Sequence, residues 1–425
     1  MMRPLGSVLK GPFLMLAAAL MLASAPAGAE ATTPDAAARP AAGRSVSYSV
    51  WNIDGASVRL RFMLPAAEAR DLVAPGAPPP NMAAVAAAVA AKVGVSTPAG
   101  DCSVVNQGEW VGDVYTMALI PGLDRFEIIF DCPQAEKMVL RDQVLFDRAP
   151  THVDYAQVQV TGGRTALLMF TRDHQTLALP TARAKLPDAG MDRFAGQGFW
   201  QALYRADRLC VMAGLLLLAR RWRDIGWIAG ALGLGYLASL AASLGGLATS
   251  GVVDAAIGLL IVLLGVGGLK AHASGLPVSR PWRIGLAACT GLFVVLSLTA
   301  GLVRNGTAAL AAAGLAVFGG AQIWIAGARP RLRWAAFAPA VVFGLLDGMG
   351  LPHELAVLQP PALQVAPLQI AYDIGAMTAA GALLAIGFAA VWLVSRRWKP
   401  TWGPDVVSAA LIGLGLFWFV SRAYG

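Results

Sequence analysis

Residues 199–223 read FWQALYRADRLCVMAGLLLLARRWR, and this stretch decides the fold. Its apolar run, from Leu209 to Ala219, ends at a cluster of arginines. A helix rises about 1.5 Å per residue, so this run covers about 16 Å of a hydrocarbon core that is about 30 Å thick. A helix that crosses the membrane here must therefore take Arg205, Asp207 and Arg208 into or near the hydrocarbon.

The whole chain has the composition of a membrane protein. It contains 425 residues, of which 57% are hydrophobic and 14% are charged, whereas soluble domains contain about 25% charged residues. The formal net charge is +8, but lysine and arginine cluster beside apolar runs, and a nucleic-acid-binding protein would carry them on a soluble face. The composition predicts a lipid bilayer as the surroundings and argues against nucleic acid as a partner.

The N-terminus predicts export. Residues 1–29 combine the basic Arg3 and Lys10 with a short apolar stretch and an A-x-A site at Ala27–Ala29, which is typical of a cleavable signal peptide. A membrane span is the alternative, but the apolar stretch is too short for one. Residues 30–43 are rich in alanine, proline and threonine, and we expect a flexible leader there.

Residues 44–185 are predicted to form an exported, all-β, sandwich-like domain. Short alternating runs separated by glycine, proline and aspartate are typical of such a domain, and the runs are Val46–Trp51, Val58–Met63, Val114–Ile120, Phe126–Phe130, Val158–Val160 and Ala166–Phe170. An alanine-rich stretch at Asn81–Val93 predicts one helix, capped by Asn81. Cys102 and Cys132 are the domain's cysteines, and an oxidising compartment favours a disulfide between them over two reduced thiols.

Catalytic motifs are missing from the sequence. It contains no G-x-S-x-G elbow, H-E-x-x-H, C-x-x-C, Walker loop or dinucleotide fingerprint. His152 and His174 stand outside any ligand cluster, and we interpret them as surface imidazoles. The sequence therefore predicts that the protein is not an enzyme and has no bound cofactor.

Residues 196–425 are predicted to form a bundle of about eight membrane-spanning helices. The apolar segments are 199–219, 225–247, 251–269, 284–303, 306–327, 334–351, 368–394 and 405–421. Basic clusters follow the first, third, fifth and seventh segments, and the positive-inside rule makes those loops cytoplasmic. The N-terminal domain and the C-terminus then lie on the periplasmic side of the inner membrane, in agreement with the signal peptide.

Polar residues from three helices are predicted to share one level in the membrane. Counted from the cytoplasmic edge at about 1.5 Å per residue, Arg208, Tyr236 and Asp347 lie about 17–20 Å up. Gln201 and Asp373 lie roughly 30 Å up on the same count, at the outer mouth. Charges at this depth cost several kcal/mol unless they are paired or hydrated. These residues therefore mark a cavity, a relay or a structural pair.

The same residues resemble motifs of the HupE/UreJ family, membrane proteins of nickel hydrogenase and urease maturation that are regarded as nickel or cobalt permeases. The family's H-x-x-x-G-x-D-H-L corresponds to residues 201–209, its G-H-S to 235–237, its F-G-L-x-H-G-x-G-F to 343–351 and its F-N-x-G-V-E-x-G-Q to 372–380. The signal peptide and a β domain with two cysteines also fit the family. By this resemblance, residues 281–330 are a helical hairpin inserted into a six-helix core.

The family's histidines are all replaced in this chain. Gln201, Arg208, Tyr236 and Asp347 stand in their places, while Asp207 is retained. Nickel and cobalt favour imidazole ligands, and an arginine repels a divalent cation. We therefore expect Arg208 and Asp347 to form a direct ion pair where the family would have a metal-bridged histidine pair. The alternative is that each side chain faces a separate water-filled crevice.

Two functions follow from the resemblance. The first is a metal-cation permease of the nickel or cobalt type, or an accessory protein, with a degenerate site and a path through Asp207, Asp347 and Asp373. A divalent metal would then be the transported ion. The second is a non-transporting membrane scaffold whose exported β domain binds a periplasmic protein partner.

Overall fold

A computed structural model describes residues 45–73, 81–110, 123–162, 165–179, 190–244, 252–272, 332–397 and 402–424. The predicted signal peptide, the leader, the strand at 114–120 and the whole predicted hairpin at 281–330 lie outside the described residues, as does the predicted domain boundary at 185.

Two β-sheets form the N-terminal domain, residues 45–179. The larger sheet has the strand order β5-β6-β2-β1-β8-β9, and the smaller has the order β10-β7-β3-β4. The strands are β1 (Val46–Asp54), β2 (Ser57–Pro65), β3 (Val93–Thr97), β4 (Gly100–Asp101), β5 (Ser103–Glu109), β6 (Leu123–Asp131), β7 (Val139–Asp142), β8 (Val153–Val160), β9 (Thr165–Thr171) and β10 (Thr176–Ala178). β1 and β8 are parallel, with Val46 opposite Val153, and the remaining described pairs are antiparallel.

The domain is β-rich, and the prediction of an all-β domain needs correction because two helices are present. Helix α2 (Met82–Ala90) was predicted, and its cap is confirmed: the Asn81 side chain accepts a hydrogen bond from the Ala83 N–H at 3.1 Å. Helix α1 (Ala66–Val73) was not predicted. Its described buried side chains are Ala69 and Leu72. Two buried positions are too few to show a helical period in the sequence.

The disulfide between Cys102 and Cys132 is present, as the sequence predicted. Cys102 lies between β4 and β5, and Cys132 directly follows β6. The bond therefore ties the connection between the two sheets to the end of strand β6 in the larger sheet.

Apolar side chains cover both faces of the larger sheet. Because successive side chains of a strand point to opposite faces, Trp51 and Phe62 enter the core between the two sheets. Tyr48 and Tyr155 instead enter a second apolar cluster that includes residues of the helical part, such as Phe194. The N-terminal domain therefore packs directly on the helices.

The helical part follows. Its elements are α3 (Met191–Tyr204), α4 (Ala206–Leu218), α5 (Trp222–Leu244), α6 (Val252–His272), α7 (Leu332–Gly348), α8 (Gly350–Leu355), a 3-10 turn (Ala356–Leu358), α9 (Ala362–Arg397) and α10 (Gly403–Tyr424). Within the described residues, four stretches are long and apolar enough to cross a membrane: Trp222–Leu244, Ala336–Leu358, Leu363–Arg397 and Gly403–Arg422. The protein is therefore membrane-embedded.

The prediction of eight spans is not supported. Two predicted segments, 284–303 and 306–327, lie outside the described residues. The segment 251–269 lies in α6 (Val252–His272), whose described apolar stretch, Ala255–Leu269, is shorter than the four candidate spans. The first segment, 199–219, is broken at Arg205, whose extended backbone (φ −82°, ψ 115°) separates α3 from α4. The charged residues that the sequence placed inside one long helix lie at this break instead.

Candidate functional site: a buried ion pair between helices

Arg208, Tyr236 and Asp347 meet inside the helical bundle. Arg208 Nη2 lies 2.6 Å from Asp347 Oδ1, and the two side chains are only 4% and 2% exposed. The Tyr236 hydroxyl donates a hydrogen bond to Asp347 Oδ2 at 2.7 Å. Both oxygens of the carboxylate therefore have a partner. The expected ion pair is confirmed, and the alternative of two separate crevices is wrong.

Close contact between α5 and α7 sets the position of two of these residues. A Cβ added at Gly235 or at Gly344 would overlap a backbone carbonyl oxygen of the facing helix. Tyr236 directly follows Gly235, and Asp347 lies about one turn after Gly344. The two glycines therefore bring the tyrosine hydroxyl within hydrogen-bonding distance of the carboxylate.

Tyr372 on α9 is a fourth member of the site, and the sequence did not indicate it. Arg208 Nη2 donates a hydrogen bond to its hydroxyl at 3.1 Å. Its side chain is 2% exposed and belongs to the apolar cluster beneath the N-terminal domain. Tyr372 therefore connects the ion pair to the surface on which that domain packs. The only sequence signal was its place directly before Asp373 in the family-like motif.

Asp207 belongs to a separate charge cluster. Its carboxylate accepts hydrogen bonds from Arg205 Nε at 3.1 Å and Nη2 at 2.7 Å, and from Arg422 Nη2 at 3.1 Å. It also accepts the backbone N–H of Arg208 at 2.9 Å, in the first turn of α4, where the helix dipole favours a negative charge. Asp207 therefore joins the last helix to the break between α3 and α4.

Gln201 and Asp373 are buried, but they do not bond to the ion pair. They are 7% and 6% exposed, and Gln201 Oε1 and Asp373 Oδ1 have no hydrogen-bond partner among the described residues. α3 and α9 approach closely, since a Cβ at Gly198 would overlap the Tyr372 carbonyl oxygen and one at Gly375 that of Ala195. Of the six predicted site residues, the structure thus brings three together and leaves Asp207, Gln201 and Asp373 outside that contact.

A metal does not fit the described site. Within the described residues, no group of three or more histidine, cysteine, aspartate or glutamate side chains is placed to hold a metal ion. The oxygens of Asp347 are already occupied, and Arg208 adds a positive charge. His353 and Glu354 lie in the short helix α8, where Glu354 accepts a hydrogen bond from the Tyr155 hydroxyl of the N-terminal domain at 2.7 Å.

A second buried polar cluster, which the sequence did not predict, lies in the N-terminal domain. Asp154 on β8 accepts hydrogen bonds from the Ser47 hydroxyl at 2.8 Å and the Ser49 hydroxyl at 2.5 Å, both from β1. The Ser47 hydroxyl also lies 2.9 Å from Nε2 of His152, which is 1% exposed. The interpretation of His152 as a surface imidazole is wrong, whereas His174 is exposed as expected. The serines at alternate positions on one face of β1 were the only sequence signal.

Asp142 on β7 completes this cluster from the smaller sheet. Asp142 and Asp154 are fully buried, each with no exposed surface. Burial raises the pKa of Asp142 well above its ordinary value, and the nearby charge of Asp154 raises it further. Burial raises the pKa of Asp154 to about 6, although hydrogen bonds from Ser49 and Ser47 lower it. Two like carboxyl groups therefore lie side by side, and a proton is needed to hold them together.

Comparison with protein-family models finds no family that matches this chain, and comparison with curated proteins finds no matching relative. The resemblance to the HupE/UreJ family stays a prediction from the motifs quoted above.

Proposed function

We propose that this protein is a HupE/UreJ-like accessory scaffold of the inner membrane that does not pass divalent metal. In this proposal, a fixed ion pair takes the place of the family's metal site, and the bundle holds the N-terminal domain on the periplasmic side for a protein partner. The observation that carries the proposal is the occupancy of Asp347, both of whose oxygens are bonded to other helices.

Charge supports this proposal. A divalent cation 4 Å from the Arg208 guanidinium would be repelled by about 8 kcal/mol at an effective dielectric constant of about 20. To use Asp347 as a ligand, the cation would have to separate a pair that is almost fully buried. Breaking one side of such a pair costs about 3–5 kcal/mol, because it leaves the other charge uncompensated.

The packing of the N-terminal domain supports a scaffold. The rings of Tyr48, Tyr155 and Phe194 follow one another at centroid distances of 6.2 and 6.3 Å, from the sheet to helix α3. The Tyr155 hydroxyl adds a hydrogen bond to Glu354 in α8. A domain that is fixed in this way presents its remaining surface in one orientation, which suits the binding of a partner.

A permease for a harder ion or a proton is the second candidate. Asp373 favours it, because one oxygen of this buried carboxyl group has no hydrogen-bond partner in the part of the chain that the structure describes.

Metal accumulation tests the proposal. Cells that express the wild-type protein, Asp347→Asn or an empty vector are compared for cellular nickel and cobalt at equal protein level. We expect no accumulation above the vector with either protein. Accumulation by the wild type that Asp347→Asn abolishes would contradict the scaffold and support a permease.

A gain-of-function variant tests the correspondence with the family. Histidine is restored at the four replaced positions by combining Gln201→His, Arg208→His, Tyr236→His and Asp347→His. If these positions correspond to the family's ligands, the purified variant should bind nickel in calorimetry, while the wild type should not. Absence of binding in a variant that remains folded would count against the correspondence.

A further inference from the structure

We propose that Asp373 is a proton-binding site, with a carboxyl group that is neutral inside the bundle and exchanges its proton with the surroundings. The inference goes beyond the proposed scaffold function and does not depend on it. It begins from the balance of buried charges in the described bundle.

The other buried acids of the bundle each have a cation. Asp347 is paired with Arg208, and Asp207 with Arg205 and Arg422. Asp373 is 6% exposed, and within the described residues no arginine or lysine forms an ion pair with it. Asp373 is therefore the one buried carboxyl group of the described bundle that is not in contact with an arginine.

The groups around Asp373 do not supply the missing charge. Among the described residues, Arg208 on α4, Tyr236 on α5 and Asp347 on α7 interact with it electrostatically. The opposite charges of Arg208 and Asp347 are already in contact with each other, and the Tyr236 hydroxyl donates a hydrogen bond to Asp347. Gln201, from α3, is uncharged.

An uncompensated carboxylate that is buried among packed helices costs several kcal/mol. Binding a proton removes this cost, and among the described residues Oδ1 of Asp373 has no hydrogen-bond partner. A sodium ion could neutralise the charge as well, but such an ion needs several oxygen ligands. Among the described residues, Oδ1 of Asp373 and Oε1 of Gln201 are buried acceptors without partners in this part of the bundle, which favours the proton.

Carbodiimide labelling tests the proposal. Dicyclohexylcarbodiimide is apolar and reacts with protonated carboxyl groups in membranes: the carboxyl O–H adds across a C=N bond, and the product rearranges to a stable N-acylurea with no leaving group. The full-length protein in lipid vesicles is treated over a range of pH without sodium, and the peptides are identified by mass spectrometry. We expect label on Asp373, decreasing as the pH rises.

The bundle provides matched controls. Asp347 and Asp207 are equally buried aspartates with arginine partners, and we expect them to stay unlabelled in the same sample. Asp373→Asn should abolish carbodiimide labelling of this peptide. The comparison of Asp373 with Asp347 and Asp207 is made in the wild-type protein, so it does not depend on whether the variant folds. Absence of label on Asp373, or label on Asp347 instead, would overturn the proposal. Protection by sodium at constant pH would overturn it in favour of a metal-cation site. None of these outcomes depends on metal transport.

Discussion

The two buried polar clusters of this protein neutralise carboxyl groups in opposite ways. In the bundle, Asp347 is held by the Arg208 guanidinium 2.6 Å away. In the N-terminal domain, Asp154 is held by serine hydroxyls and lies beside a second carboxyl group, Asp142. The first cluster contains its own counter-charge, whereas the second depends on a proton from the solution. We therefore expect the two clusters to respond differently to mutation and to pH.

The largest effect is expected when the bundle cluster loses one charge. Asp347→Ala leaves Arg208 buried without a counter-charge and should lower the free energy of unfolding by about 3–5 kcal/mol. Unfolding of the full-length protein by sodium dodecyl sulfate in mixed micelles measures this change. Asp405→Ala, at an exposed position near the start of α10, is the matched control and should have almost no effect. A comparable loss in both variants would show that the pair has no special role.

The N-terminal cluster should instead respond to pH. The pKa values of Asp142 and Asp154 are raised in the folded state, so the folded domain binds more protons than the unfolded chain above the ordinary aspartate pKa. Its stability is then greatest in acid and falls as the pH rises. The loss is expected between about pH 4, the ordinary aspartate pKa, and the raised pKa of Asp154 of about 6. The two carboxyl groups titrate as a pair.

Amide hydrogen exchange of β1 and β8 in the full-length protein, corrected for intrinsic rates, measures this dependence. Asp142→Asn keeps an oxygen for the Val144 N–H, which donates at 2.8 Å in the wild type, and it removes one titrating group. Protection in this variant should therefore depend less on pH. Protection in the wild type that rises from acid to neutral pH would mean that the carboxyl groups do not share a proton.

The smallest effect is expected from one hydrogen bond in the bundle cluster. Tyr236→Phe removes the 2.7 Å bond to Asp347 and leaves the ion pair intact, so it should cost about 1.5–3 kcal/mol, the range for bonds to charged groups. The same micelle titration measures it, with Tyr204→Phe at an exposed position as the control. A loss as large as that of Asp347→Ala would mean that the tyrosine, rather than the arginine, holds the carboxylate.

Helical geometry explains which parts of the bundle site were predictable. The rise per residue is nearly constant, so counting from basic clusters placed Arg208, Tyr236 and Asp347 at one level before any contact was known. The same counting assumed unbroken helices, and it therefore missed the break at Arg205. The contribution of Tyr372 was not predictable, because it depends on how α9 packs against α4 across a large separation in sequence.

In the N-terminal domain, the sequence pattern predicted individual strands but not how distant strands pair. Strands such as β1, β2 and β9 were predicted, because they are short runs rich in apolar residues that are separated by turn-forming residues. The parallel pairing of β1 with β8 was not, since it joins segments about a hundred residues apart. That pairing is what buries Asp154 and His152 beside the serines of β1. A lone histidine or aspartate has no periodic signal that would indicate such a neighbourhood.

A double-mutant cycle on Arg208 and Asp347 tests the central claim most directly. The free energies of unfolding of the wild type, Arg208→Ala, Asp347→Ala and the double variant are measured in the same mixed micelles. If the two side chains hold the helices together as a pair, the double variant should regain much of the stability that Asp347→Ala loses, because no unpaired charge remains. Losses that simply add would contradict the claim.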